Sequence, residues 1–98
     1  MDRQEWAVKM CKALGHPVRF QIVKYLMSGP RCVCELNEDM EFSQSNLSQH
    51  LKILKEAGIV SSRKVGLKIF YKLDNGKINE VMEALEAAAD QYYTAHLQ

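Results

Sequence analysis

A chain of 98 residues fits one domain, and 47% apolar residues suffice for a core. A polar start, no apolar run of membrane-spanning length and only three cysteines argue against a secretory leader, a membrane span and a disulfide framework, and for a cytoplasmic protein with reduced thiols. Net charge is only +1, but residues 42–73 carry six basic side chains against one acidic, a net of +5, while residues 74–98 net −4. A local basic stripe is the footprint of a nucleic-acid reader, or else a solvated face.

In chain order, a first helix is predicted over Glu5 to Leu14, with Trp6, Met10, Ala13 and Leu14 on one side and Gly15 as its stop. Pro17 suits the first turn of a second helix, which runs to about Met27 and packs Phe20, Val23, Leu26 and Met27. His16 beside Pro17 reads as a helix cap rather than a ligand. Ser28-Gly29-Pro30 ends the second helix, and a short third one is expected from about Cys32 to Met40. Glu41-Phe42 makes a tight connection to a fourth helix capped by Ser43, with Leu47, Leu51 and Leu54 at helical spacing and Gly58 as its stop. The period then changes to two. Val60 to Val65 and Lys68 to Leu73 read as two strands around Gly66-Leu67. After Asp74-Asn75-Gly76 a last helix runs to about Ala95, with Ile78, Val81, Met82, Leu85, Ala89 and Tyr92 on one stripe.

Short helix, tight connection, polar-faced helix and basic hairpin make a winged helix-turn-helix: an α+β, mostly α, single domain over residues 1–98. At about 100° per residue, the three leucines of the fourth helix point to the core. Ser45, Gln49 and Lys52 then point nearly opposite, flanked by Asn46 and Ser48. Short polar groups of this kind hydrogen-bond base edges, whereas an ordinary surface helix favours Glu, Lys and Arg. Lys52, Lys55, Arg63, Lys64 and Lys68 supply cations for phosphate. His50 falls nearer the leucines and reads as a partly buried, hydrogen-bonded histidine. Phe42 and Phe70 read as packing residues. The chemistry expected is binding of double-stranded DNA, not catalysis: there is no Gly-rich phosphate loop and no Ser/His/Asp set. Two other classes stay open, a winged helix used for protein interaction and a small thiol redox enzyme.

Several stretches together resemble the ArsR/SmtB family of metal-responsive winged-helix repressors. They are Ala13-Leu-Gly-His-Pro-Val-Arg-Phe20, Cys32-Val-Cys-Glu-Leu36, Ser43-Gln-Ser-Asn-Leu-Ser-Gln-His-Leu51 with Leu54 and Ala57-Gly-Ile-Val60, and Arg63-Lys-Val-Gly-Leu-Lys-Ile-Phe-Tyr71. The resemblance implies a homodimer built on the first and last helices, for which Trp6, Met10, Val81, Met82, Leu85 and Tyr92 are the expected contacts. It also implies an inverted-repeat operator, repression without ligand, and release by a thiophilic ion. No cofactor is required.

Cys32-Val33-Cys34 stands where arsenic sensors of the family hold a Cys-x-Cys pair. Thiolates bind As(III), Sb(III) and other soft ions strongly. Residues two apart on a regular helix diverge by about 200°, so both sulfurs reach one ion only where the first turn is irregular. Many arsenic sensors add a third Cys three residues on, and here that position is Asn37. Cys11 could be recruited as an auxiliary ligand, though its simpler reading is a small packing residue. The expected inducer is As(III)/Sb(III), then a divalent soft metal, then oxidation or persulfide at the same pair; a winged helix without an inducer site is the remaining alternative. The Asp/His zinc site that the family carries on its last helix is not expected, because Gly76 and Lys77 follow Asp74 and the next histidine is His96.

Overall fold

The computed structural model describes residues 1–39 and 44–97, the side chains of Gln44 and Ser45 excepted. The expected cap at Ser43, the Glu41-Phe42 connection, and Met40 lie outside the described residues, as does the side chain of Ser45. Helix α1 spans Arg3–Leu14. It starts two residues earlier than the sequence suggests because Asp2 caps it, its Oδ1 accepting from the Glu5 N–H at 2.8 Å. Helix α2 spans Pro17–Leu26; His16 caps it as expected, Nδ1 accepting from the Val18 N–H at 3.1 Å, with Pro17 in the first turn.

Next comes an element that the sequence reading lacks, strand β1 (Arg31–Cys32). Helix α3 follows as Val33–Asp39 and α4 as Gln44–Glu56. Strands β2 (Val60–Val65) and β3 (Lys68–Leu73) have the predicted bounds. Gly66 turns the hairpin with φ +62°, and no described non-glycine residue has positive φ, the pattern of a type II′ turn. Helix α5 spans Gly76–His96, capped by Asn75, whose Oδ1 accepts from the Lys77 N–H at 2.8 Å. The expected hairpin is thus a three-stranded antiparallel sheet of order β1-β3-β2. Arg31 pairs with Tyr71 and Cys32 with Phe70.

The core gathers one face from each helix: Ala13 and Leu14, Ile22, Val23 and Leu26, Leu36, Leu47, Leu51 and Leu54, Ile78 and Met82, closed by Ala57, Ile59 and Val60. No described polar side chain is fully buried. Fully burying each large apolar side chain contributes about 1.5–3 kcal/mol, so the leucines of α4 fix how that helix seats. One expectation needs correction. Met82 is fully buried in this core and is no dimer contact. Trp6, Val81, Leu85 and Tyr92 remain exposed, and Met10 packs partly against the core. No described helix is long and apolar enough to cross a membrane.

Candidate functional site

Helix α4 turns Asn46, Ser48, Gln49, Lys52 and Lys55 to solvent, while Leu47, Leu51 and Leu54 are 0%, 2% and 0% exposed. The outward face is therefore polar and cationic, with Glu56 as its one acid. Beside it the wing exposes Arg63, Lys64 and Lys68. Among the described residues, Lys52, Arg63, Lys64 and Lys68 make no ion pair, so their charge is directed outward. Lys55 has a second role that the sequence did not suggest: its Nζ donates to Ser62 Oγ at 2.6 Å and braces α4 against β2. His50 is half-buried, with Arg19 Nη1 3.2 Å from its Nδ1, and Phe70 is half-buried in the sheet.

The cysteine pair straddles a junction. Cys32 ends β1 and Cys34 lies in the first turn of α3, so the regular-helix divergence of their side chains does not apply. Their Cα atoms are 5.3 Å apart, within disulfide range, and the two are joined as a disulfide. This corrects the expectation of reduced thiols throughout. Cys32 is buried and Cys34 exposed. The sulfur of Cys32 accepts from the Glu35 N–H at 3.3 Å, and Glu35 Oε1 accepts from the Cys32 N–H at 3.0 Å. This is the reciprocal pattern of a capping box, with a cysteine where Ser or Thr usually stands. Arg31 Nη1 holds the other Glu35 oxygen at 3.5 Å. The capping role of Glu35 was missed by the sequence reading. The Cys-x-x-Glu spacing could have shown it, had the helix been started one residue later.

Cys11 is a free thiol exposed on α1, so it does not pack in the core of its own chain. Among the described residues no three His, Cys, Asp or Glu side chains gather to hold a metal ion, so one chain does not bring Cys11 to the pair. A cleft of about 340 Å³ is lined by Cys32, Cys34, Ser48, Leu51 and Lys68, among others. It runs from the sulfurs to both α4 and the wing.

Residues 16–62, which hold β1, α3, α4 and the cysteine pair, match the model of the arsR family of bacterial regulatory proteins. A transcriptional regulator of the HTH type from Methanocaldococcus jannaschii is 37% identical over 87 residues, covering 88% of this chain and 98% of that protein. The chain belongs to the arsR family. An arsenical resistance operon repressor from Staphylococcus xylosus is 36% identical over 75 residues, 76% of this chain and 72% of that repressor. The solved structure of HlyU from Vibrio cholerae superposes with a TM-score of 0.78 at 32% identity over 100% of both chains. ArsR-family membership, with the winged-helix architecture, makes this chain a transcriptional regulator and not an enzyme.

Proposed function

We propose that this arsR-family chain is a homodimeric repressor that binds an inverted-repeat DNA operator when Cys32 and Cys34 are reduced and releases it when they are joined or capped. The observation that carries the DNA reading is the solvent-facing row Asn46, Ser48, Gln49 and Lys52 beside the wing cations Arg63, Lys64 and Lys68, which pair with no described acid. Ser45 joins the row by its place in the sequence. Amide and hydroxyl groups read base edges; the cations hold phosphates. The dimer reading is supported by Trp6, Val81, Leu85 and Tyr92, apolar and exposed on α1 and α5.

The thiol reading is supported by Cys32 being at once half of the pair and the cap of α3, the helix before α4. In the oxidation step, the exposed Cys34 thiolate attacks a peroxide oxygen, giving a sulfenic acid and releasing an alcohol or water. The Cys32 thiol then displaces water to form the disulfide. Two electrons pass to the peroxide. Changing the bonding at Cys32 changes the group that caps α3, which biases the helix pair.

Capture of As(III) or another thiophilic ion by the same two thiolates is the second reading, favoured by the likeness to the arsenical resistance repressor. One titration tests both. The reduced chain should bind a duplex selected from a random-sequence pool and release it on adding peroxide or As(III). The double variant Cys32→Ser with Cys34→Ser should bind the same duplex and ignore both agents. Release of the double variant at the wild-type concentration would exclude the pair as the response element and leave the DNA reading standing.

A further inference from the structure

Arg19 of α2 ties three helices together. Its Nε donates to the Ala13 carbonyl at 2.6 Å and its Nη2 to the Lys12 carbonyl at 3.3 Å. Both carbonyls belong to the last turn of α1, where helix geometry leaves carbonyls short of intrahelical donors; that of Lys12 also accepts from the Gly15 N–H at 3.3 Å. Its Nη1 lies 3.2 Å from Nδ1 of His50, on α4. A guanidinium has donors only. His50 must therefore accept at Nδ1 and carry its proton on Nε2. The His50 ring also lies 4.5 Å from the ring of His16, whose own Nδ1 accepts from the Val18 N–H. Arg19, His16 and His50 are all half-buried.

We infer that Arg19 and His50 form a strut that seats α4 on the α1–α2 pair, and that protonation of His50 breaks it, weakening sequence-specific DNA binding in mildly acidic solution. The inference rests on the reading of α4 as the base-reading helix. A protonated imidazole presents an N–H to the guanidinium N–H, so the contact turns from attraction to repulsion. The titratable and charged groups facing His50 are His16 and Arg19, both from α2 and its cap; α1 contributes only the carbonyls that hold Arg19. On α4 itself, Asn46, Leu47, Ile53 and Leu54 stand one turn away and carry no charge. Partial burial first, then His16 and Arg19, push the His50 pKa below its ordinary value of 6.5. The strut is intact at neutral pH on that account.

The sign distinguishes this from plain electrostatics. Added positive charge alone strengthens binding to any DNA on acidification. A broken strut lowers the ratio of specific to non-specific affinity. The test uses the full chain, a duplex that it selects from a random-sequence pool at about pH 8, and a shuffled duplex of equal length, with anisotropy read from about pH 8 down to about pH 5. The wild-type ratio should fall on the order of tenfold, as expected for loss of one hydrogen bond to a charged group. His50→Ala should show the low ratio at every pH. His50→Asn, whose Oδ1 accepts from Arg19 but does not titrate, should restore the ratio at about pH 8 and remove the fall on acidification. A wild-type ratio that stays flat or rises on acidification overturns the inference, as does a full pH step in His50→Asn. Nitrogen NMR of the free chain supplies a readout without DNA: a His50 proton found on Nδ1 at neutral pH overturns the strut whatever the DNA result. A chain that selects no duplex overturns the DNA reading, and the inference falls with it.

Discussion

Gly58 closes α4 with φ +76°. Its N–H reaches the Lys55 carbonyl at 3.0 Å and the Ile59 N–H reaches the Leu54 carbonyl at 3.0 Å, the pairing of a Schellman motif. Ile59 and Leu54 are both fully buried, which adds the apolar contact that such motifs carry. A Cβ at Gly58 would meet Trp6 Nε1 at 3.4 Å and Met10 Cε at 3.7 Å, ordinary contacts. Space is therefore not what requires glycine; the left-handed backbone is. Gly58→Ala should cost roughly 1–2 kcal/mol, a fall in Tm of roughly 5–15 °C for a domain this size. An unchanged Tm by calorimetry would count against the assignment. The glycine was legible in the sequence as a helix stop, and His16 was legible as a cap. The Arg19–His50 contact was legible only on the histidine side. It joins residues 31 apart, and a one-residue pattern does not encode its partner. His50 also bears on stability. Its pKa is lowered on folding, so the folded state binds fewer protons than the unfolded chain between the lowered value and 6.5. Its contribution is complete above 6.5 and is lost as pH falls through the folded value.

At the scale of elements, α4 separates its tasks by face. The buried leucines fix its position, and the exposed side is the one that the proposed reading offers to DNA. Gln49→Ala should cost roughly 1–3 kcal/mol per half-site on the preferred duplex and relax sequence preference, with little change on shuffled DNA. Lys52→Ala should weaken both duplexes alike and reduce the steepness of the salt dependence by about one charge per half-site. Equal losses on both duplexes for both variants would remove base reading from α4. Helical leucine spacing and the two-residue period of the wing made α4, β2 and β3 legible, because each pattern is local. Strand β1 was not. It is two residues long, and it is a strand only because Arg31 and Cys32 pair with Tyr71 and Phe70, far along the chain. That one non-local pairing moved Cys32 out of the helix and changed the geometry of the thiol pair. The third helix was expected to begin on Cys32, yet that residue caps it instead.

The whole molecule exposes more surface than a compact monomer needs. Its accessible area is 6838 Å², against about 5,700 Å² expected for a single folded chain of this mass. The radius of gyration is 14.3 Å, against about 13 Å for a compact domain of this length. Part of the excess is α5, whose 21 residues bury only Ile78 and Met82. Along its other side Val81, Leu85 and Tyr92 are 45%, 46% and 60% exposed, at the spacing of one helical stripe. Trp6 and Val8 of α1 are 40% and 46% exposed. The surplus of roughly 1,100 Å² exceeds the 800 Å² or so that each partner gives to a standard interface. A second copy of the chain has the matching stripe by symmetry. Leu85→Glu places a charge in that stripe without touching the core, because nearly half of the leucine is already in water. Its far-ultraviolet circular dichroism should therefore match the wild type. In sedimentation at micromolar concentration the wild type should run at about twice 11.2 kDa and Leu85→Glu at about 11.2 kDa. On DNA the variant should lose most of its preference for a duplex with two half-sites over one with a single half-site, since a lone winged helix makes too few contacts for tight specific binding. A wild-type chain that sediments as a monomer, or a Leu85→Glu chain that stays dimeric, would move the interface away from α5.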